Sequence, residues 1–258
     1  MKPLAELDAR PVTALLFDID DTLTTEGRLT ADAYAALEAL KRAGKLVVPV
    51  TGRPAGWCDH ISRMWPVDAV VGENGAFYFC FSGGRLEKRF LDDAGTRAAN
   101  RARLAAIGER ILREVPGCAL ASDQAYREAD LAIDYCEDVA PLPLAAAERI
   151  AALMREAGLN AKISSIHVNG WFGAYDKLGM TRRLFAERFG WDLDARNREV
   201  VFAGDSPNDA PMFSYFANSV GVANLRRFDD LAFDRPKYVT RGESGAGFAE
   251  LARHLLRT

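Results

Sequence analysis

Histidine is scarce in this 258-residue chain: His60, His167 and His254 are the only three, and their spacing is not that of a zinc site. A zinc hydrolase built on imidazole ligands is therefore excluded. The four cysteines, Cys58, Cys80, Cys118 and Cys136, form no C-x-x-C pair. A chain of this length needs no disulfide staples, so they are read as reduced thiols. Positive charge is not in excess either: 33 Lys plus Arg face 36 Asp plus Glu, for a net charge of −3. That balance speaks against bulk nucleic-acid binding. No apolar run approaches the roughly 18 residues of a membrane span, and Glu6 and Asp8 interrupt the start before a signal-length core can build. A cytoplasmic location with no membrane partner is expected. There is no G-x-S-x-G elbow, no Walker-type loop and no G-x-G-x-x-G, which removes the serine hydrolases and the common nucleotide loops. With 49% hydrophobic residues and modest Gly (21) and Pro (11), what remains is an ordinary globular composition, large enough for a sizeable core.

What is present is a repeating pattern of short apolar runs that end abruptly in polar residues. Residues 12–17 end in Asp18-Ile19-Asp20-Asp21, residues 46–50 in Thr51-Gly52-Arg53, residues 67–71 in Gly72-Glu73-Asn74-Gly75, and residues 200–203 in Gly204-Asp205. Such runs suit strands buried on both faces. Helical patterns lie between them. Thr30 caps one that runs to Ala43, with Ala33, Leu37 and Leu40 on a single face and Gly44 as the stop. Others span about residues 177–189, 208–216 and 247–256. Strand and helix in alternation predict a doubly wound parallel sheet of Rossmann-like α/β type. Pro49 counts mildly against a central strand because it removes a ladder donor, less so near a strand's end.

After the hairpin turn at Gly83-Gly84 the pattern changes. A helix over 97–115, a strand near 131–135, a helix over 144–157 and strand-like pieces at 161–164 and 166–169 form an inserted α+β cap. The expected division is core 1–84, cap 85–172 and core 173–258.

In open parallel sheets, ligands bind beyond the carboxyl ends of the strands. Several acids and the Thr51 hydroxyl would converge there. Like charges so placed call for a cation, and carboxylate oxygens with little His or Cys nearby suit a hard ion such as Mg2+. An isolated Asp-x-Asp at a helix start is usually an N-cap. No amphipathic helix begins at Asp18, which weakens that reading.

Asp18-Ile19-Asp20-Asp21-Thr22-Leu23 resembles the first motif, DxDx[TV][LV], of the haloacid dehalogenase superfamily of phosphotransferases. Thr51 with Gly52-Arg53-Pro54 looks like the second motif, Lys177 is similar to the lysine of the third, and Gly204-Asp205-Ser206-Pro207-Asn208-Asp209 resembles the acidic fourth. An insert between the second and third, preceded by Glu73-Asn74-Gly75-Ala76, resembles the type IIB subfamily of Cof-like, sucrose-phosphatase-like and mannosyl-3-phosphoglycerate-phosphatase-like enzymes. The resemblance implies a Mg2+-dependent phosphatase that acts through an aspartyl phosphate on a small phosphorylated metabolite, a sugar phosphate or glycosyl phosphate. It implies Asp18 as nucleophile and Asp20 as acid and base, with the Asp20 carbonyl a metal ligand as well. Asp205 becomes the second carboxylate on the metal. Asp209 is either a further metal-side acid or the partner of Lys177. Thr51, Gly52, Lys177 and Asn208 would hold the phosphate, N-capping being an equal alternative for Asn208.

The cap should carry substrate specificity. Arg53, Asn74, His167, Asn169 and Trp171 are the candidate substrate contacts, with packing at the hinge the alternative for Trp171, Phe172 and Tyr175. Two rival functions stand beside hydrolysis. Tyr175-Asp176-Lys177 resembles the third motif of phosphomannomutases, but the uninterrupted GDSPND segment favours hydrolysis. A catalytically silent regulatory protein on the same scaffold is the other, and every expected catalytic side chain is present. The oligomeric state, monomer or homodimer, stays open.

Overall fold

The computed structural model describes residues 1–164 and 166–257. Its first part contains β1 (Lys2–Pro3), β2 (Ala14–Phe17), helix α1 (Ala31–Arg42), β3 (Leu46–Pro49), α2 (Ala55–Met64) and β4 (Val70–Gly72), then a hairpin of β5 (Phe77–Ser82) and β6 (Arg85–Phe90). Next come α3 (Ala94–Glu114), β7 (Ala119–Leu120), β8 (Asp130–Asp134), α4 (Leu144–Glu156), β9 (Asn160–Ile163) and β10 (His167–Trp171). The chain closes with α5 (Lys177–Leu184), β11 (Val200–Gly204), α6 (Ala210–Tyr215), β12 (Asn218–Gly221), β13 (Tyr238–Val239) and α7 (Ser244–Leu255).

Six strands form a parallel sheet in the order β1-β13-β12-β11-β2-β3. Strand β2, next to the edge strand β3, is buried along its whole length because both faces are covered. Leu15 and Phe17 pack with Leu37 and Leu40 of α1 and Phe248 and Leu251 of α7. Ala14 and Leu16 point the other way, to Met180 and Leu184 of α5 and Met212 and Phe213 of α6. The period of two thus feeds two cores from one apolar run, and each fully buried Leu or Phe contributes about 1.5–3 kcal/mol. The doubly wound core is as the sequence predicts.

Pro49 ends β3 opposite Phe17, and the outer side of that strand meets β4 only through a single bridge between Val50 and Val71. No ladder donor is missed there. The helix predicted over 177–189 is α-helical to Leu184 and continues as one π-helical stretch, Phe185–Phe189, closed by Gly190 at φ 68°.

The cap sheet is antiparallel, β7-β8-β10-β9. Leu131 and Ile133 of β8 and Val168 of β10 face Leu104 and Ile111 of α3 and Ile150 and Met154 of α4. Alternation then turns Asp130, Asp134, His167 and Asn169 to the opposite, polar face. Strand β6 pairs with β5 in a three-stranded sheet, β4-β5-β6, apart from the cap sheet. Among the described residues no helix is long and apolar enough to cross a membrane.

Candidate active site

The strand order reverses between β2 and β11: the chain leaves β2 for β3 on one side and later returns to place β11 on the other. At such a switch point the loops diverge and leave a crevice beyond the strand ends. Asp18 stands at the tip of β2, its N–H donating to the Ala203 carbonyl at 3.0 Å, and Asp205 follows β11. Asp18 Oδ1 accepts the Ile19 N–H at 2.8 Å, and Oδ2 accepts from Lys177 Nζ at 2.8 Å. Lys177 Nζ also donates to Asp209 Oδ1 at 2.9 Å, while Asp209 Oδ2 accepts the Asp205 N–H at 3.3 Å. Thr22 donates to Asp205 Oδ1 at 3.0 Å.

These charges are buried, and their protonation reflects it. Burial pushes the Asp18 carboxyl up to about 7, with Asp209 and Asp20 adding to the rise and Lys177 opposing it. Burial and then Asp209 hold Asp205 well above the usual carboxylate range. For Lys177, burial works against the charge, but Asp18 and Asp209 outweigh it and raise the pKa. Oxygen atoms of Asp18, Asp205 and Asp209 lie within 4.8 Å of one another. Three carboxylates around one ammonium leave negative charge unbalanced, and an all-oxygen donor set fits a hard divalent ion such as Mg2+. Both oxygens of Asp209 accept, from Lys177 and the Asp205 N–H, and so do both of Asp18, from Lys177 and the Ile19 N–H, whereas Asp205 accepts from Thr22 at Oδ1.

Asp20 lies beside this group and is gripped by Arg53, whose Nε and Nη2 reach both its oxygens at 2.7–3.1 Å. Arg53 is buried, lies over the Trp57 ring at 4.3 Å and approaches Glu137 of the cap at 3.5 Å. Thr51 is fully buried, and its hydroxyl accepts the Arg53 N–H at 3.1 Å. Asn208 Oδ1 accepts from Ser206 at 2.9 Å.

Between core and cap lies a polar cavity of about 40 Å³. The core lends it Asp18, Asp20, Gly52, Arg53, Asn74, Asp205 and Asn208; His167 and Asn169 come from β10. Trp171 is not brought there. It stacks on Tyr175, with ring centroids 5.6 Å apart, and its Nε1 donates to the Tyr175 carbonyl at 3.3 Å.

Sequence reasoning did not single out Arg127, which lines the same cavity. Its guanidinium binds Asp123 and Asp130 and donates to the Gly52 carbonyl at 3.0 Å. The one available signal was acids four before and three after it. Glu137 was missed too; it joins Arg53 to His167, whose Nε2 is 2.8 Å from Glu137 Oε2. Lys162 of β9 reaches the Asn208 carbonyl at 3.4 Å.

Residues 15–90 match the family described as haloacid dehalogenase-like hydrolase. A phosphoglycolate phosphatase of Haloarcula marismortui is 29% identical over 243 residues, covering 92% of this chain and 94% of its own. Among solved structures, Thermoplasma acidophilum 0175 superposes with a TM-score of 0.71 at 18% identity, over 95% of this chain and 98% of its own. The C-terminal domain of C. albicans trehalose-6-phosphate phosphatase gives 0.71 at 15%, over 99% and 98%. The Synechocystis sucrose-phosphatase in complex with sucrose and phosphate gives 0.62 at 16%, over 94% and 97%. The structural likenesses bear on the fold, and they include both its sheet and its cap.

Proposed function

We propose that this haloacid dehalogenase-like phosphatase hydrolyses a small phosphorylated metabolite through an aspartyl phosphate on Asp18, with Mg2+ as cofactor. The observation that carries the reading is the placement of Asp18. Its carboxylate lines the cavity, is oriented by Lys177 and the Ile19 N–H, and has a second carboxylate, Asp20, lining the same cavity.

Phosphoryl transfer asks for positioning and charge neutralisation more than for covalent chemistry by many groups. Asp18 attacks phosphorus as the bond to the leaving oxygen breaks, and Asp20 delivers a proton to that oxygen. Asp20 then takes a proton from the water that attacks the aspartyl phosphate, which frees inorganic phosphate and restores Asp18. Thr51, the Gly52 backbone, Asn208 and Lys177 are the donors for the phosphoryl oxygens. Asp18, the Asp20 carbonyl and Asp205 would hold the Mg2+, with Asp209 securing Lys177 beside them. When bound, the ion neutralises phosphate charge and lets Asp18 approach an anionic ester.

The expected substrate class is a sugar phosphate or glycosyl phosphate. Arg53 and Arg127 in the wall of the cavity favour a second reading, a leaving group as acidic as that of phosphoglycolate. Phosphate release from a panel of sugar phosphates, glycosyl phosphates, phosphoglycolate and p-nitrophenyl phosphate, in Mg2+ and in EDTA, tests both. Metal-dependent release that Asp18→Asn abolishes is the expected result. Undiminished release by Asp18→Asn removes Asp18 as nucleophile. Isomerisation of a hexose phosphate without phosphate release replaces hydrolysis by a mutase.

A further inference from the structure

Glu73 follows β4, and the chemistry above makes no use of it. Its side chain is completely buried. Its backbone lies in the left-handed region at φ 42°, followed by Asn74 at 56°, conformations that non-glycine residues keep only when their surroundings impose them. Its Oε1 accepts the N–H groups of Ala55 and Glu128, both at 2.9 Å. Its Oε2 accepts that of Ala129 at 2.6 Å and that of Asp130 at 3.2 Å.

The donors come from two bodies. Ala55 opens α2, directly after the loop that carries Thr51, Gly52 and Arg53. Glu128, Ala129 and Asp130 lead into β8 of the cap, and three successive N–H groups turned to one carboxylate form an anion nest. Arg127 extends the same seam through its bond to the Gly52 carbonyl. Gly75, two residues beyond Glu73, lies so close to the Asp176 carbonyl that a Cβ would overlap it, and Asp176 precedes Lys177. Glu73 therefore stands where the phosphate loop, the cap and the approach to Lys177 meet.

We propose that Glu73 is a positioning residue, a latch whose carboxylate fastens the cap to the phosphate loop and so sets the closed geometry over Asp18. The role rests on the phosphatase reading, but the latch itself is a mechanical claim that can be read without turnover. It touches neither substrate nor phosphate. When Glu73 is ionised its bonds to backbone N–H groups are charge-assisted and stronger than neutral ones. The N–H groups of 128–130 share this one acceptor on the core, so they lose it together when the cap lifts, while that of Ala55, itself in the core, keeps it.

Hydrogen exchange on the wild-type protein tests this first. The amides of 128–130 should exchange together, through an opening more frequent than the global unfolding that exposes β2 and β11, while that of 55 stays protected with the core. Exchange of 128–130 only at the global rate overturns the latch and leaves Glu73 a static core residue. In Glu73→Gln, where one oxygen becomes an amide that cannot accept, exchange at 128–130 should rise about tenfold or more while β2 and β11 stay protected. In the phosphate-release assay the same variant should lose about tenfold in kcat/KM, chiefly through KM, with Glu73→Asp intermediate. A tenfold loss confined to kcat with unchanged exchange overturns the proposal. If wild type releases no phosphate at all, the phosphatase reading fails, while the exchange measurement still decides the latch.

Discussion

Arg53 holds Asp20 by both carboxylate oxygens, Nε lying 3.1 and 3.0 Å from them and Nη2 2.7 Å from the first. The acid assigned to the leaving group is thus tied to the side chain that reaches toward the cap. Arg53 must yield part of this grip for Asp20 to meet the leaving oxygen. A lysine has a single point charge and cannot reproduce the fork. Arg53→Lys should lower kcat/KM about 10- to 100-fold and Arg53→Ala further, measured on the best substrate of the panel. Wild-type kinetics in Arg53→Ala would remove Arg53 from the site.

Lys177 is the sole ammonium bonded to Asp18 and Asp209 among the described residues. Lys177→Ala leaves buried carboxylates without their counter-charge, which costs about 3–5 kcal/mol in metal-free protein. Turnover should fall about a thousandfold. Thermal unfolding should show a lowered Tm in EDTA that Mg2+ partly restores; a Tm equal to that of wild type in EDTA would show that the pairing carries no stability.

The dependence of stability on pH follows from the raised carboxyls. Burial, with Lys177 in opposition, puts Asp18 at about 7, and burial aided by Asp130 puts Glu73 at about 8. In the unfolded chain both titrate near 4. Between about pH 4 and pH 8 the folded, metal-free protein therefore binds more protons than the unfolded chain, so its stability falls as pH rises through that window. The slope is at most about 1.4 kcal/mol per pH unit for each group. Tm in EDTA should be higher near pH 6 than near pH 8, and the difference should shrink in Mg2+, which favours the ionised Asp18. A Tm that climbs with pH in EDTA contradicts the assignment.

Gly75 has φ 109°, and a Cβ on it would run into the Asp176 carbonyl. Gly75→Ala combines a strained backbone with a clash against main chain that cannot rotate aside, at a cost of about 2–4 kcal/mol. Because Lys177 is the next residue after Asp176, activity should drop along with Tm. A variant as stable and active as wild type would show that the 175–177 segment gives way freely.

Much of this arrangement was legible because it is local. The apolar run of β2 reads as a strand, and a polar residue at its tip reads as a site. The same logic found β11 with Asp205 and the Thr30 cap, whose hydroxyl accepts the Ala33 N–H at 3.4 Å. Helix α2 was not read, since it starts after Pro54 and contains Gly56, although its buried Ala55, Cys58, Ile61 and Ser62 recur at helical spacing. Strands β1 and β13 have two residues each, too few for any pattern. In the cap, alternation puts Trp171 on the same face as His167 and Asn169, yet it is the last residue of β10 and turns to Tyr175 in the link to the core. Arg127 and Glu137 enter the site only through the docking of cap on core, which no local pattern encodes.

The switch point between β2 and β11 also governs when the site comes into being. Asp18, the proposed nucleophile, lies 159 residues before Lys177 and further still before Asp205 and Asp209, the groups that orient and balance it. A chain that stops before β11 has β2 with one flank unpaired and the Asp18 N–H without its Ala203 acceptor. The site is thus complete only once β11 has joined the sheet beside β2.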